Sequence, residues 1–135
     1  MALNPHFAIA SRHAWLDRIT TDLGTSAIFN IYAGIQPADV SSAVTAANAI
    51  VAALAFPATN AFAAAAASAI SANAITADAS AAGGTAAWFS LTKSTGTRVL
   101  DGSVGTATSD LILNSVTIAT GSTVSVTSFV VTSAA

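Results

Sequence analysis

Two histidines and six aspartates are the only side chains here that titrate near catalytic pH, since the 135-residue chain has no Glu and no Cys. General acid–base catalysis needs two such groups held close together in a pocket. His6 and His13 lie seven residues apart, so on a helix they share a face two turns apart, and Asp17 follows four residues after His13. That set offers a metal two or three ligands at most, against four in a closed zinc site. Its plain reading is a solvated helix face with a local His13–Asp17 contact. Asp101 and Asp110 flank the loop of residues 102–109. Calcium needs six or more oxygens from closely spaced groups, whereas single aspartates among Ser, Thr and Gly are turn formers. Asp39 and Asp78 read the same way. There is no G-x-S-x-G elbow. The Lys93-Ser94-Thr95 run has Thr92 where a P-loop requires glycine. Lys93 and Arg98 sit near one hairpin tip and read as isolated, solvated charges. No enzyme, no cofactor and no metal site is expected.

The elements that carry these residues follow from periodicity. Asn4–Pro5 is a candidate N-cap and first helical position, and Trp15, Ile19 and Leu23 then recur at helical spacing with Leu16 beside them. Gly24 suits the C′ position. Arg12, Asp17, Arg18 and Asp22 fall largely off that stripe. An amphipathic helix over 1–24 is predicted, and it must bury its apolar side. Beyond Gly24 the period drops to two. Residues 26–33 alternate Phe29 and Ile31 against Ile28 and Tyr32, and Gly34 and Pro37 close the strand. Residues 36–47 read as a loop, and Ile50, Leu54 and Phe56 resume the alternation until Pro57 stops it.

The alanine run 61–69 is ambiguous, because alanine is the best helix former yet strands lie on both sides. It is read as an irregular or extended segment leading into a strand at 71–77. Strands at 86–92 and 97–104, joined by a turn at 93–96, form a hairpin. Further strands are expected at 111–118 and 123–132, with Gly121 in the turn between them. The predicted fold is mainly β: an antiparallel β-sandwich or jelly roll over 25–135 with the N-terminal amphipathic α-helix attached, a single folded unit.

Composition narrows the function classes. About a quarter of the residues are alanine, 53% are hydrophobic and only 7% are charged, against about 25% charged in ordinary soluble domains. A net charge of −2 excludes a basic patch, so neither nucleic acid nor an anionic membrane is an expected partner. Residues 40–77 carry no charge, but Asn48, Pro57, Asn60 and Asn73 interrupt them and their apolar content is mostly alanine. No membrane span is expected there. The first residues lack a basic region and an unbroken apolar stretch, so no secretory signal is expected. Lys and Glu are depleted from interfaces because desolvating and ordering them is costly. A chain with one Lys and no Glu therefore suits close packing against neighbours. Trp15, Tyr32 and Trp88 are the candidate anchors, with core packing the plainer reading for Trp88 and the helix residue Trp15 the more open case.

Three segments together, RHAWLDRITTDLGTSAIFNIYAGIQPA, ANAITADASAAGGTAAWFSLTKSTGTRVLDGSVGT and DLILNSVTIATGSTVSVTSF, resemble a group of small bacteriophage virion proteins. The shared pattern is an N-terminal amphipathic helix, an IYxGxxPA-like strand and C-terminal strands turned by Gly and Thr; the alanine run lies outside it. The resemblance implies a structural role on the particle. First comes a capsid decoration or cement protein bound to the major capsid protein, and second a tail-associated protein. By analogy it implies a homo-oligomer, a trimer, with Phe7, Trp15, Ile19 and Leu23 of the helix docking on the shell or on sister subunits. A rival reading is a fibre-type domain that binds a cell-surface glycan through Trp88 beside Asp101.

Overall fold

A computed structural model describes residues 6–133. The expected cap at Asn4–Pro5 lies outside the described residues. Helix α1 runs Ile9–Leu23 after Ala8, without a side-chain cap, and ends at Gly24, where φ is +67° and the N–H donates to the Thr20 carbonyl at 3.1 Å. His6 precedes the helix and does not lie on it. The buried residues of α1 are Leu16 and Leu23, while Trp15 is 81% exposed. Helical rotation of about 100° per residue explains the split. Leu16 and Leu23 share a line, Ile19 falls roughly 60° to one side, and Trp15 roughly 100°. The i, i+4 series 15–19–23 therefore spirals from solvent into the core instead of lying in it.

Strands outweigh the helix, and five of them form one sheet. Its centre is β5 (Trp88–Thr92), paired antiparallel with β1 (Ile28–Tyr32) and with β6 (Arg98–Gly105); β1 pairs in turn with β2 (Ile50–Ala55), and β6 with β7 (Leu111–Ile112), giving the order β2-β1-β5-β6-β7. On one face Phe29 and Ile31 meet Leu91 and Phe89 in register. Five of the six phenylalanines gather over that face. Phe29 and Phe89 stack with ring centres 5.0 Å apart, Phe129 meets both edge-on at 5.3 Å, and Phe56 and Phe62 complete the cluster. Only Phe7 stands outside it. Gly102 makes room for the cluster, because a Cβ there would lie 2.5 Å from the Phe89 ring.

Alternation alone leaves one face of β5 in solvent, but all five of its residues are buried. The second face carries Asn30, Tyr32, Trp88, Ser90 and Thr92, and Asn30 Nδ2 donates to Thr92 Oγ1 at 3.3 Å. In β2 a register shift sets Ile31 against Ala52 but Tyr32 against Ile50, leaving Val51 as the extra residue. Val51 is fully buried and Ile50 is turned 45% into solvent. The bulge removes Ile50 from the face it was expected to share with Leu54 and Phe56.

Three expected strands are shorter or displaced. The alanine run ends in a two-residue hairpin turn: Ala66 and Ala69 exchange both backbone hydrogen bonds at 2.9 Å around Ala67 (φ +49°) and Ser68 (φ +61°). The strand expected at 71–77 is β3, Ala69–Ser71, paired with β9, Val130–Thr132. The strand expected at 111–118 is split into β7 (Leu111–Ile112) and β8 (Thr117–Ile118), the latter paired with β4 (Gly84–Thr85). In 123–132 only a Val124–Asp78 bridge precedes β9. The β6–β7 ladder is parallel, a departure from the all-antiparallel expectation. The Asp110 carboxylate makes that tight return possible, accepting from the Ser103 N–H at 2.8 Å and its hydroxyl at 2.7 Å.

Candidate interaction surface

The five candidate contact residues separate into two groups. Leu23 is 2% exposed and Trp88 fully buried, so neither meets a partner at the surface of this chain. Trp88 is packed on both sides. Tyr32 stacks on it with ring centres 4.2 Å apart and planes within 10°, and the Arg98 guanidinium lies 5.6 Å from its ring centre. Burial pushes the Tyr32 phenol above its ordinary pKa.

Arg98 is not the solvated tip residue expected from sequence. Its side chain is 7% exposed and pairs with Asp101, itself 4% exposed. It also donates to the carbonyls of Asp39 and Ser42, tying the loop after β1 to the sheet. The register places Arg98 opposite Thr92 and Asp101 opposite Ser90, so strand pairing itself sets the ion pair beside Trp88. Trp88 Nε1, Ser90 Oγ and Asp101 Oδ1 are buried here without hydrogen-bond partners. A glycan platform needs an exposed aromatic ring, and Trp88 beside Asp101 offers none.

Phe7, Trp15 and Ile19 come together elsewhere. With Arg12, Leu16 and Val131 they line a concave groove of about 530 Å³ between α1 and β9. Phe7 is 68% and Trp15 81% exposed, whereas Ile19 packs partly against the core. Sequence reasoning missed Arg12, set aside as off the stripe, and Val131 from the far end of the chain. The helical angle was a usable signal for Arg12, which falls between the lines of Leu23 and Ile19. Nothing local to residues 123–132 indicated that β9 would stand beside the helix.

His13 and Asp17 do not form the expected local contact; both side chains hold the helix in place. His13 Nε2 accepts the Ser68 N–H at 3.1 Å, and Asp17 Oδ1 accepts the Ala65 N–H at 2.8 Å. Both grip the alanine hairpin. Arg18 and Asp22 form an exposed pair at 2.9 Å that lowers the Asp22 carboxyl through its hydrogen bond; such pairs contribute little to stability. Arg12 has no ion pair among the described residues, and its Nε is buried without a hydrogen bond.

Among the described residues no three His or Asp side chains gather as a metal-binding group, and no helix is long and apolar enough to cross a membrane. The arrangement offers an apolar concavity with one cation and two exposed aromatic rings, which can hold side chains of another molecule. Comparison with known protein families, curated proteins and solved structures finds no match to this chain.

Proposed function

We propose that this chain is a non-enzymatic structural protein of a bacteriophage particle, a decoration or cement protein that binds the major capsid protein and stabilises the head. The observation that carries this reading is the exposed aromatic groove of Phe7, Trp15 and Ile19 on a chain with only 7% charged residues. Large aromatic side chains gathered in a concavity are the kind of residue that anchors a partner at an interface. Cement proteins act by adding buried area across neighbouring capsomers, and stable contacts of this sort bury about 1,200–2,000 Å². Attachment at several points raises avidity with no further chemistry. A homotrimer is the unit in this reading, and helix and β region act together, since Leu16 and Leu23 belong to the shared core. The finer architecture, a β-sandwich or jelly roll, belongs to the same proposal; the edge-on packing of Phe129 against Phe29 and Phe89 supports a second layer over the sheet.

Co-sedimentation with emptied heads of the virus that encodes the chain tests the reading. Saturable binding at a fixed ratio to capsid subunits is expected. Protein that stays monomeric and remains in the supernatant sinks it. Binding to isolated tails in place of heads would move the protein to the tail.

A further inference from the structure

Resting on the docking reading above, we infer that the groove between α1 and β9 receives a protein segment in which one carboxylate, Asp or Glu, is flanked by apolar side chains. The carboxylate pairs with Arg12 and the flanking side chains pack on Phe7, Trp15 and Ile19. The charge inventory of the chain carries this inference. Of its four basic residues, Arg18 is paired with Asp22, Arg98 with Asp101, and Lys93 lies in the β5–β6 turn. Arg12 alone lines an apolar concavity with no ion pair among the described residues. A guanidinium in such surroundings favours a carboxylate, which it can grip with two parallel hydrogen bonds.

The same inventory says where that carboxylate comes from. No aspartate lines the groove. All six are engaged: Asp17 by the Ala65 N–H, Asp22 by Arg18, Asp39 by the Ser41 and Ser42 N–H groups, and Asp78 by those of Ala53 and Ser80. Asp101 is held by Arg98 and Asp110 by Ser103. Each aspartate of a second copy already accepts a hydrogen bond inside its own fold, which favours a different protein as the occupant. A volume of about 530 Å³ falls within the range of built ligand pockets and accommodates a few side chains of an extended segment.

The test is a selection of a random 12-residue peptide library on the immobilised wild-type protein and, in parallel, on Arg12→Glu. The wild type is expected to enrich peptides carrying one acidic residue between apolar ones, and the variant to enrich Lys or Arg at that place. A selected peptide should bind at least about tenfold more weakly to Arg12→Gln and to Trp15→Ala, the loss expected of an interface anchor. Replacing the peptide's own acid by its amide should give the same loss. Trp15 and Arg12 are not core residues, and circular dichroism checks that each variant is folded. Identical selections on wild type and Arg12→Glu would overturn the inference. So would peptides without acidic bias, a concentration-dependent dimer blocked by Arg12→Glu, or occupation of the groove by laurate in place of peptide. Head binding that survives with an unchanged selection leaves the docking reading standing and removes this one alone.

Discussion

Arginine meets tryptophan twice in this molecule, with opposite outcomes. On the sheet, Arg98 covers Trp88, pairs with Asp101 and ties down the following loop, all inside the fold. On the helix, Arg12 lines the same groove as Trp15 with no ion pair among the described residues, and the indole is open to solvent. Both sites contain buried polar atoms without hydrogen bonds. Access separates them. The Trp88 site is sealed between Tyr32, Arg98 and the strands, whereas the Trp15 site is concave and open. Residue type alone does not mark a contact surface. The open site combines a cation without an ion pair among the described residues and an exposed aromatic ring.

Breaking the closed site should give the largest effect. Arg98→Met leaves the buried Asp101 carboxylate unpaired, and losing one member of a buried pair costs about 3–5 kcal/mol. For a chain of this size that lowers the Tm by about 10–18 °C. Arg12→Met breaks no ion pair among the described residues and should lose less than about 0.5 kcal/mol of stability. Urea denaturation of the two variants measures the contrast directly, and equal losses would erase it. The next effect is at Gly102. An alanine Cβ there meets the Phe89 ring, which Phe29 and Phe129 hold in place. Gly102→Ala should cost about 1–3 kcal/mol, the range for an overpacked core, without altering the groove.

The closed site was half legible in the sequence. The hairpin of residues 86–104 followed from alternation and its Gly-containing turn, and this pairing puts Arg98 and Asp101 next to Trp88. Arg98 was nevertheless expected in water, because its burial depends on the loop of residues 36–48 folding back to accept its hydrogen bonds, a contact more than fifty residues away. The helix was legible as an element, but its i, i+4 series was read as one stripe. Helical rotation of about 100° per residue exposes Trp15 and turns Arg12 to the groove, which equal i, i+4 spacing does not reveal. The alanine run was undecidable for a physical reason. Its turn uses Ala67 and Ser68 in left-handed conformations that such residues rarely adopt, and the hairpin is held by Asp17 and His13 from the helix. The C-terminal strands were overextended because alternating Val and Thr persist where backbone pairing does not.

Acid provides a smaller, graded test. The Asp110 carboxylate lies below the usual carboxylate range because it accepts the Ser103 N–H and then its hydroxyl; Asp39 and Asp78 are lowered chiefly by the N–H groups of Ser41 and Ala53. The stabilisation from a lowered carboxylate is fully present above its unfolded pKa, about 3.9, and is lost as pH falls through the folded value. Urea midpoints should therefore drop between pH 5 and pH 2.5, and Asp110→Asn should drop less than the wild type. No carboxylate lines the groove among the described residues, so the solvent accessibility of Trp15 should not change over the same interval.

The smallest expected effect bears most directly on the open site. Trp15 and Trp88 are the only two tryptophans, one 81% exposed and the other fully buried, so fluorescence resolves them. Acrylamide should quench one population readily and leave the other nearly untouched, and Trp15→Ala should abolish the quenchable one. Unfolding free energy should shift by less than about 0.5 kcal/mol, whereas Trp88→Ala should cost about 3–5 kcal/mol. A large loss of stability in Trp15→Ala would mean that its indole packs on the helix and β9 as part of the core. The groove would then be a flaw in packing, and the contrast between the two arginine–tryptophan sites would reduce to depth. A silent Trp15→Ala leaves an exposed indole whose contribution to the free chain is close to nothing, as a residue whose packing partner lies on another molecule requires.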